Sequence, residues 1–189
     1  MNSSDKERLL REVRDKGYIL SSIDDLMYID QKHRDLIPVL LKNLEETSDE
    51  GSKQFLVRCL GVKGFYEASP ALIREFYLAD DPSYKWAIGN SLGIIADKAI
   101  LPDMLRIVQE KEHGIARQMI VASLWKYDCE QTRQVLISLL EDEEVVGHAV
   151  SAIARLHDKS LIPYIEPFQT CKTAWIRNTA KRAVKRFEA

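Results

Sequence analysis

The sequence predicts an all-α fold, a right-handed α-solenoid of about five helix pairs with an N-terminal helical cap. Three observations predict it. A motif recurs about every 31 residues, apolar residues stand at helical spacing within each copy, and no segment shows the sustained apolar–polar alternation of a strand. Because one short helix pair cannot bury its apolar face alone, stacked copies are needed to form a continuous core.

The second helix of each pair is the most regular element. Its anchor residues are separated by 32, 32, 29 and 31 positions, and they are Leu60, Leu92, Leu124, Ile153 and Val184. An aliphatic residue stands four places before each anchor. Small residues stand one place before it, namely Cys59, Ser91, Ser123, Ala152 and Ala183. This spacing predicts one amphipathic helix per copy, with a close helix–helix approach at the small column.

An apolar periodic segment precedes each second helix and predicts the first helix of the pair. These segments start at Leu36, Pro70, Leu101, Arg133 and Leu161. Prolines near four of the starts suit a first helical turn, where no backbone N–H is needed. The predicted repeats span about 34–66, 67–97, 98–128, 129–158 and 159–189 and form one domain with the cap at 1–33. In the cap we expect a helix over Asp5–Lys16 that ends at Gly17, then a short helix opened by Ser21 or Ser22.

The turns between paired helices carry acidic residues, and a basic residue follows early in the second helix. The second repeat has Asp81, Lys85, Leu92, Gly93, Ile95 and Asp97 in this order, and the first repeat has Asp49, Lys53, Leu60 and Gly61. In these residues the chain resembles HEAT repeats, the short bacterial kind also seen in phycobilisome-lyase-type proteins. The pattern of that family is an acidic turn, then a basic residue and A-x-x-A-L-G-x-I-x-D, and the first repeat fits it more loosely than the second. The resemblance covers roughly Leu36–Phe187. It departs at Val146, which replaces the basic residue, and at His113 and Thr173, which replace the acid, so any acid-to-base ladder is partial. The resemblance implies an armadillo-like interaction scaffold, although a few HEAT-like folds bind or repair DNA.

Composition narrows the class of protein. The chain of 189 residues is 46% hydrophobic and 30% charged, with a net charge of −2. This balance gives no bulk attraction to nucleic acid or membranes. No apolar run approaches the roughly 20 residues that span a bilayer, and the charged N-terminus lacks the apolar core of a secretory signal. The three cysteines lack C-x-x-C spacing. We therefore expect a cytoplasmic protein with free thiols.

The segment Gly89–Gly93 spells G-x-S-x-G, the sequence of a hydrolase nucleophile elbow, but Ser91 falls in the middle of a predicted helix and in its small column. We interpret it as a packing residue. His33, His113, His148 and His157 do not form a metal-binding pair, and no phosphate-binding glycine loop is present. The sequence thus predicts no enzyme, no cofactor and no metal site.

The columns opposite the buried face form a strip that would line the concave surface of the solenoid. None of its fifteen positions is acidic. Trp and Arg are enriched at binding hot spots, and amides suit a peptide backbone. The predicted protein-binding residues are Gln54, Arg58, Trp86, Asn90, Gln118, Trp125, Asn178 and Arg182. Trp86 and Trp125 would floor one aromatic pocket, with Gly89 letting the Trp86 indole lie flat. The alternative is that the fold packs these indoles internally.

The leading functional prediction is a non-enzymatic scaffold or adaptor that binds a peptide or protein domain on this strip. One alternative is nucleic-acid binding through the basic C-terminal helix. Its candidate residues are Arg177, Lys181, Arg182, Lys185 and Arg186. The other alternative is a lyase-like or chaperone-like assembly factor. The partner itself is not identified by the sequence, and no membrane association is expected.

Overall fold

The computed structural model describes the backbone of residues 3–188 and the side chains of residues 3–186. Every regular element in that range is helical and none is a strand, which confirms the all-α prediction. None of these helices is long and apolar enough to cross a bilayer. The chain forms two compact units, Met1–Ile100 and Leu101–Ala189. The solenoid arrangement, and the single domain that it implies, stay predictions.

From residue 3 onward, where the structure is described, the first unit contains five α-helices joined by short 3-10 segments. The α-helices are α1 (Ser3–Asp15), α2 (Ile37–Glu46), α3 (Glu50–Leu60), α4 (Ser69–Leu78) and α5 (Pro82–Ile95). The 3-10 segments are Ile23–Tyr28, Gln31–Leu36, Tyr66–Ala68 and Lys98–Ile100. Helix α1 packs against α2, α2 against α3, and both α3 and α4 against α5. The segments predicted as the paired helices of this unit are therefore helical, while their role as repeats behind an N-terminal cap stays a prediction.

Polar residues at the predicted turns start the helices of this unit. Asp49 accepts a hydrogen bond from the Ser52 amide at 2.8 Å and begins α3. Asp81 accepts one from the Tyr84 amide at 2.7 Å and begins α5. Each carboxylate satisfies an N–H that has no partner within its helix. In the cap, Ser22 opens the 3-10 helix at Ile23 through a capping box, as predicted, and Gly17 follows α1 with φ +89°.

Helices α3 and α5 approach closely at the small column. Ser91 lies inside α5, is 1% exposed, and its hydroxyl donates to the Val57 carbonyl at 2.9 Å. A Cβ on Gly61 would lie only 2.8 Å from Ser91 Oγ. Ser91 is therefore a packing residue, as predicted, and its buried helical position lacks the exposed strand-to-helix turn of a nucleophile elbow.

The described part of the second unit, up to residue 188, contains six α-helices and further 3-10 segments. The α-helices are α6 (Leu101–Gln109), α7 (Gln118–Ser123), α8 (Glu130–Ser138), α9 (Val146–Leu156), α10 (Ile162–Ile165) and α11 (Ala174–Glu188). The 3-10 segments are Lys111–Arg117, Leu124–Lys126, Leu139–Glu141, Lys159–Leu161 and Glu166–Thr170. Helix α9 is central, because it packs against α7, α8, α10 and α11.

Two predicted helices of this unit are shorter than their sequence patterns suggest. Helix α7 has six residues and continues only as a 3-10 turn. It follows Gly114, whose φ of +54° interrupts the preceding segment and favours glycine. Helix α10 has four residues and continues as a 3-10 segment that contains Pro167. Proline lacks the N–H that an α-helical ladder requires, so its presence fits the change of helix type.

A buried arginine organises the turn between α8 and α9. The Arg117 side chain is fully buried, and its Nη1 donates to Asp142 Oδ2 at 2.8 Å and to the Val108 carbonyl at 3.0 Å. Its Nη2 donates to Glu144 Oε2 at 3.0 Å, and its Nε to the Gly114 carbonyl at 2.9 Å. These bonds compensate the burial of the charge. They link Arg117, the basic residue of the third predicted repeat, to the acidic turn of the fourth predicted repeat.

Candidate functional site

The predicted strip is less exposed than the sequence suggests. Of its eight predicted binding residues, Arg58, Asn178 and Arg182 are exposed and the other five are half-buried. At other strip positions the structure buries three small residues, Gly93, Gly147 and Ala154. A small residue on a helix is covered by the larger side chains around it, so helical phase alone overestimates its exposure.

In the first unit, the strip reaches a cleft of about 530 Å³ between the cap and the ends of the second helices. Arg58 and Gly61 line it from α3 and the residue after it. The apolar part of the lining is Met27, Ile29, Val62 and Ile94. We call this space the cap cleft. Sequence reasoning missed the contribution of the cap, because nothing in residues 1–33 repeats the strip pattern.

The remaining strip residues of the first unit are half-buried. Gln54 precedes Arg58 by four residues on α3, and Trp86 precedes Asn90 by four on α5. This spacing puts each pair on one face of its helix, and the two helices pack together. The two predicted anchors, Trp86 and Trp125, belong to different units, and their common pocket stays a prediction.

The structure gives Gln118 and Trp125 partners within the second unit. The Gln118 side chain donates to the Glu144 carbonyl at 2.9 Å. The Trp125 ring has the Arg155 guanidinium 5.4 Å and the Lys126 ammonium 6.0 Å from its centre. These two cations lie over the face of the ring, which attracts positive charge. The indole N–H of Trp125 is buried and has no hydrogen-bond partner among the described residues.

A cleft of about 210 Å³ lies between α9 and α11. Strip residues Ser151, Ala154 and Arg182 line it, together with Arg155, Thr179 and Arg186. We call it the arginine cleft. The sequence singled out Arg182 and Arg186 but not Arg155, because Arg155 stands two places after its repeat anchor, outside the strip columns. The tertiary structure brings the three guanidinium-bearing side chains to one cleft.

The groups that contact these three arginines are an aromatic ring, two backbone carbonyls and a histidine ring. Arg155 lies over the Trp125 ring, while Arg182 Nε donates to the Asn178 carbonyl at 3.2 Å. Arg186 Nη1 donates to the Ala154 carbonyl at 3.2 Å and lies 3.1 Å from Nδ1 of a histidine ring, that of His157. No carboxylate among the described side chains forms an ion pair with any of the three. Their positive charges are thus not neutralised within that part of the chain.

Trp175 stands in a shallower cleft beside the arginine cleft. This second cleft is lined by Trp175, Asn178, Thr179, Lys181 and Arg182, and it shares Thr179 and Arg182 with the arginine cleft. The indole lies on Gly147, where a Cβ would be 2.2 Å from Trp175 Cη2. It is still 48% exposed. This glycine–indole contact joins residues of two different helices, and the contact predicted within α5, between Trp86 and Gly89, stays a prediction.

The His148 ring contacts the same indole. The two ring centroids are 5.6 Å apart in an edge-to-face arrangement. Burial lowers the pKa of His148, which favours the neutral imidazole. This histidine is a packing partner of Trp175.

The cations of the basic C-terminal helix differ in their hydrogen-bond partners and in their exposure. Arg177 Nη1 donates to the backbone carbonyls of Cys171 at 2.6 Å and Lys172 at 3.0 Å. Arg182 and Arg186 donate to the carbonyls of Asn178 and Ala154, as described above. Lys181, Arg182, Lys185 and Arg186 are exposed, and Arg177 is half-buried. The five predicted nucleic-acid contacts are therefore not equivalent.

Groups that could support redox or metal chemistry are sparse in the described chain. Burial raises the pKa of the Cys59 thiol to about 12, which disfavours its thiolate. All three cysteines are free. Among the described residues, no three His, Cys, Asp or Glu side chains form a group that could hold a metal ion.

Comparison with protein-family models finds no match for this chain, and comparison with curated proteins finds no significant match.

Proposed function

We propose that the chain is a non-enzymatic binding protein, built from HEAT-like helix pairs, that holds a peptide segment of a partner protein on its second helices. The observation that carries this proposal is that the predicted strip lines a cleft in each unit. Arg58 and Gly61 line the cap cleft. Ser151, Ala154 and Arg182 line the arginine cleft. One sequence pattern thus leads to a recess in both units.

The cap cleft has the composition of a peptide-binding surface. Met27 and Ile94 in its lining are 43% and 40% exposed, so apolar area is available for burial. Methionine adapts to different partner shapes because its side chain is unbranched and flexible. Arg58 adds a charged donor of the type enriched at binding hot spots. A volume of about 530 Å³ accommodates one or two side chains of a bound segment.

Selection from a displayed random peptide library on the full chain tests the proposal. We expect peptides that bind saturably and lose about tenfold in affinity with Arg58→Gln or Met27→Ala, because each change removes a contact of about 1–2 kcal/mol. Arg74→Gln is the matched control, since Arg74 is an exposed arginine on α4 that pairs with Glu45 outside the cleft. Affinities are measured by fluorescence anisotropy. The proposal fails if the selection yields no saturable binder, or if all three variants bind alike.

Nucleic-acid binding is the second candidate function, and the charge distribution favours it. The segment Val145–Arg186 contains eight basic and two acidic residues, although the whole chain has a net charge of −2. Lys181 and Lys185 on α11 are exposed and could contact phosphates. Peptide binding ranks first because strip residues line recesses in both units, whereas the basic surface is confined to one.

A further inference from the structure

The arginine cleft concentrates positive charge in a small space. Arg155, Arg182 and Arg186 line about 210 Å³ together with the hydroxyl-bearing residues Ser151 and Thr179, and none of the described side chains that line this cleft is acidic. Asp158, three places after Arg155, pairs with Arg133 at 2.7 Å instead. Three adjacent cations without a carboxylate repel one another, so an anion bound among them would be stabilised.

The arginines are also oriented before any ligand arrives. Stacking on the Trp125 ring restricts the Arg155 side chain. Arg182 uses its Nε and Arg186 its Nη1 for bonds to backbone carbonyls, which leaves other guanidinium nitrogens of each as donors. A guanidinium has five N–H donors in a rigid planar fork, and this fork matches the oxygens of a carboxylate or phosphate. Side chains that are already restrained lose less entropy when they bind.

The number of charges selects among the possible anions. A carboxylate and a phosphodiester each carry one negative charge, and each has two oxygens free to accept. A phosphate monoester carries about −1.5 to −2 at neutral pH and has three strong acceptor oxygens. Three guanidinium groups and two hydroxyls match the monoester best, in both charge and number of donors.

We propose that the arginine cleft binds the phosphate monoester of a phosphorylated side chain on a peptide partner. This inference rests on the proposed peptide-binding function. It specifies the chemical group that one of the two clefts recognises. The shallower cleft beside it would hold the residues that flank the phosphorylated one. Trp175 offers an exposed ring face there, and Asn178 an exposed amide for the peptide backbone.

A peptide library with phosphoserine at its fixed central position tests the proposal. The same library with serine or with glutamate at that position provides two comparisons, and an oligonucleotide without terminal phosphate provides a third. We expect the full chain to bind phosphoserine peptides at least about tenfold more tightly than their serine and glutamate counterparts, because serine lacks the charge-assisted hydrogen bonds and glutamate offers less charge and fewer acceptor oxygens. Fluorescence anisotropy at physiological salt gives the affinities.

Variants of the full chain locate the site. Arg182→Gln should weaken phosphoserine-peptide binding about tenfold or more, and Arg182→Lys should recover only part of the loss because lysine cannot form the planar fork. Lys159→Gln is the matched control, because Lys159 is an exposed cation of the same unit and lines neither cleft. This change should alter the affinity by less than about twofold. Circular dichroism confirms that each variant is folded.

Several results would overturn the proposal. It is wrong if phosphoserine and serine peptides bind equally, or if Arg182→Gln and Lys159→Gln have the same effect. It is also wrong if the oligonucleotide binds as tightly as the phosphoserine peptides and competes with them, because the cleft would then serve nucleic acid. Peptides selected on the cap cleft separate this failure from that of the proposed function. If they bind and phosphoserine brings no gain, only the present inference fails.

Discussion

At the scale of single residues, Gly147 shows how much one missing side chain can decide. It is the second residue of α9, and the Trp175 indole occupies the space that its Cβ would take. The contact places an aromatic ring beside the arginine cleft while leaving half of that ring exposed. Glycine at this position therefore fixes where the Trp175 ring lies.

We expect Gly147→Ala to lower the free energy of unfolding by about 1–3 kcal/mol, as overpacking does. The new Cβ would lie 2.3 Å from Trp175 Cζ2 and 2.9 Å from Ile176 Cδ1, so the indole must move. Urea unfolding followed by circular dichroism measures the loss. Gly51→Ala is the control, because Gly51 is also a second helical residue and its Cβ would meet nothing closer than 3.7 Å. Equal effects of the two substitutions would contradict the prediction.

Asp142 provides a pH-dependent contribution to stability. Burial raises its pKa, but the bonds from Arg117 and from the Glu144 amide outweigh burial and lower it overall. A pKa that is lower in the folded state stabilises the fold above the unfolded value of about 3.9, and this contribution is lost as the pH falls through the folded value.

We therefore expect Asp142→Asn to cost about 1–3 kcal/mol at pH 7, since it weakens a charge-assisted bond to a buried arginine. The difference from wild type should shrink as the pH falls below about 4, where the wild-type carboxyl gains a proton. Urea unfolding at pH 7, 5 and 3 gives the difference. Glu143→Gln, at the exposed neighbouring position, should differ little from wild type at all three. A cost for Asp142→Asn that is independent of pH would show that its charge contributes nothing.

At the scale of elements, the contact between α3 and α5 explains why the small column recurs. The Ser91 hydroxyl bonds to the Val57 carbonyl, and Gly61 lies beside the same serine. A larger residue at position 91 would have to push the α3 backbone away. The G-x-S-x-G spelling is thus a consequence of helix packing.

This contact predicts a size-dependent series at Ser91. Ser91→Ala removes one hydrogen bond and should cost about 0.5–1.5 kcal/mol. Ser91→Val adds volume against the α3 backbone and should cost about 1–3 kcal/mol more. Thermal and urea unfolding compare the two variants. If valine is as well tolerated as alanine, the close approach of α3 and α5 does not limit the size of residue 91.

At the scale of the whole molecule, charge is distributed unevenly along the chain. Most of the acidic residues precede Val145, and the following segment through Arg186 is strongly basic. A net charge of −2 therefore hides a local cationic surface on α9 and α11. Local charge, rather than the chain total, governs which anions bind there.

We expect oligonucleotide binding to this surface to be weak and salt-sensitive. Between 50 and 200 mM salt the affinity should fall by about tenfold or more, because each phosphate contact releases counterions. Cap-cleft peptides should bind almost unchanged over the same range, since apolar burial is not screened. Anisotropy titrations at four salt concentrations measure both slopes. An oligonucleotide affinity that is independent of salt would exclude phosphate-driven binding.

Regular features were predictable from the sequence because they are encoded locally. The anchors Leu60, Leu92 and Leu124 are fully buried, as their periodicity predicts. The aspartates at the turns begin helices, because a side-chain oxygen can satisfy the first free N–H groups wherever the chain turns. Helix lengths were less predictable. The short α7 and α10 depend on backbone geometry at Gly114 and Pro167, which apolar periodicity does not report.

The candidate site was only partly predictable, because a local pattern reports the face of a helix and not its distant neighbours. Helical phase indicates which side of a helix a residue occupies, and it correctly grouped Ser151, Ala154 and Arg182. It does not indicate which residues from distant segments complete the surface. Met27 reaches the cap cleft from the cap, and Trp175 reaches Gly147 from the start of another helix.

The sequence by itself determined that the described chain is helical, approximately where most of its helices begin, and that the anchor residues are buried, because hydrogen bonding and apolar periodicity act within a few residues of each other. Only the tertiary structure decided that three arginines meet in one cleft without a carboxylate among the described side chains, and that an indole rests on Gly147. Such arrangements depend on side chains about 30 residues apart in the chain, and no local pattern records their distance in space.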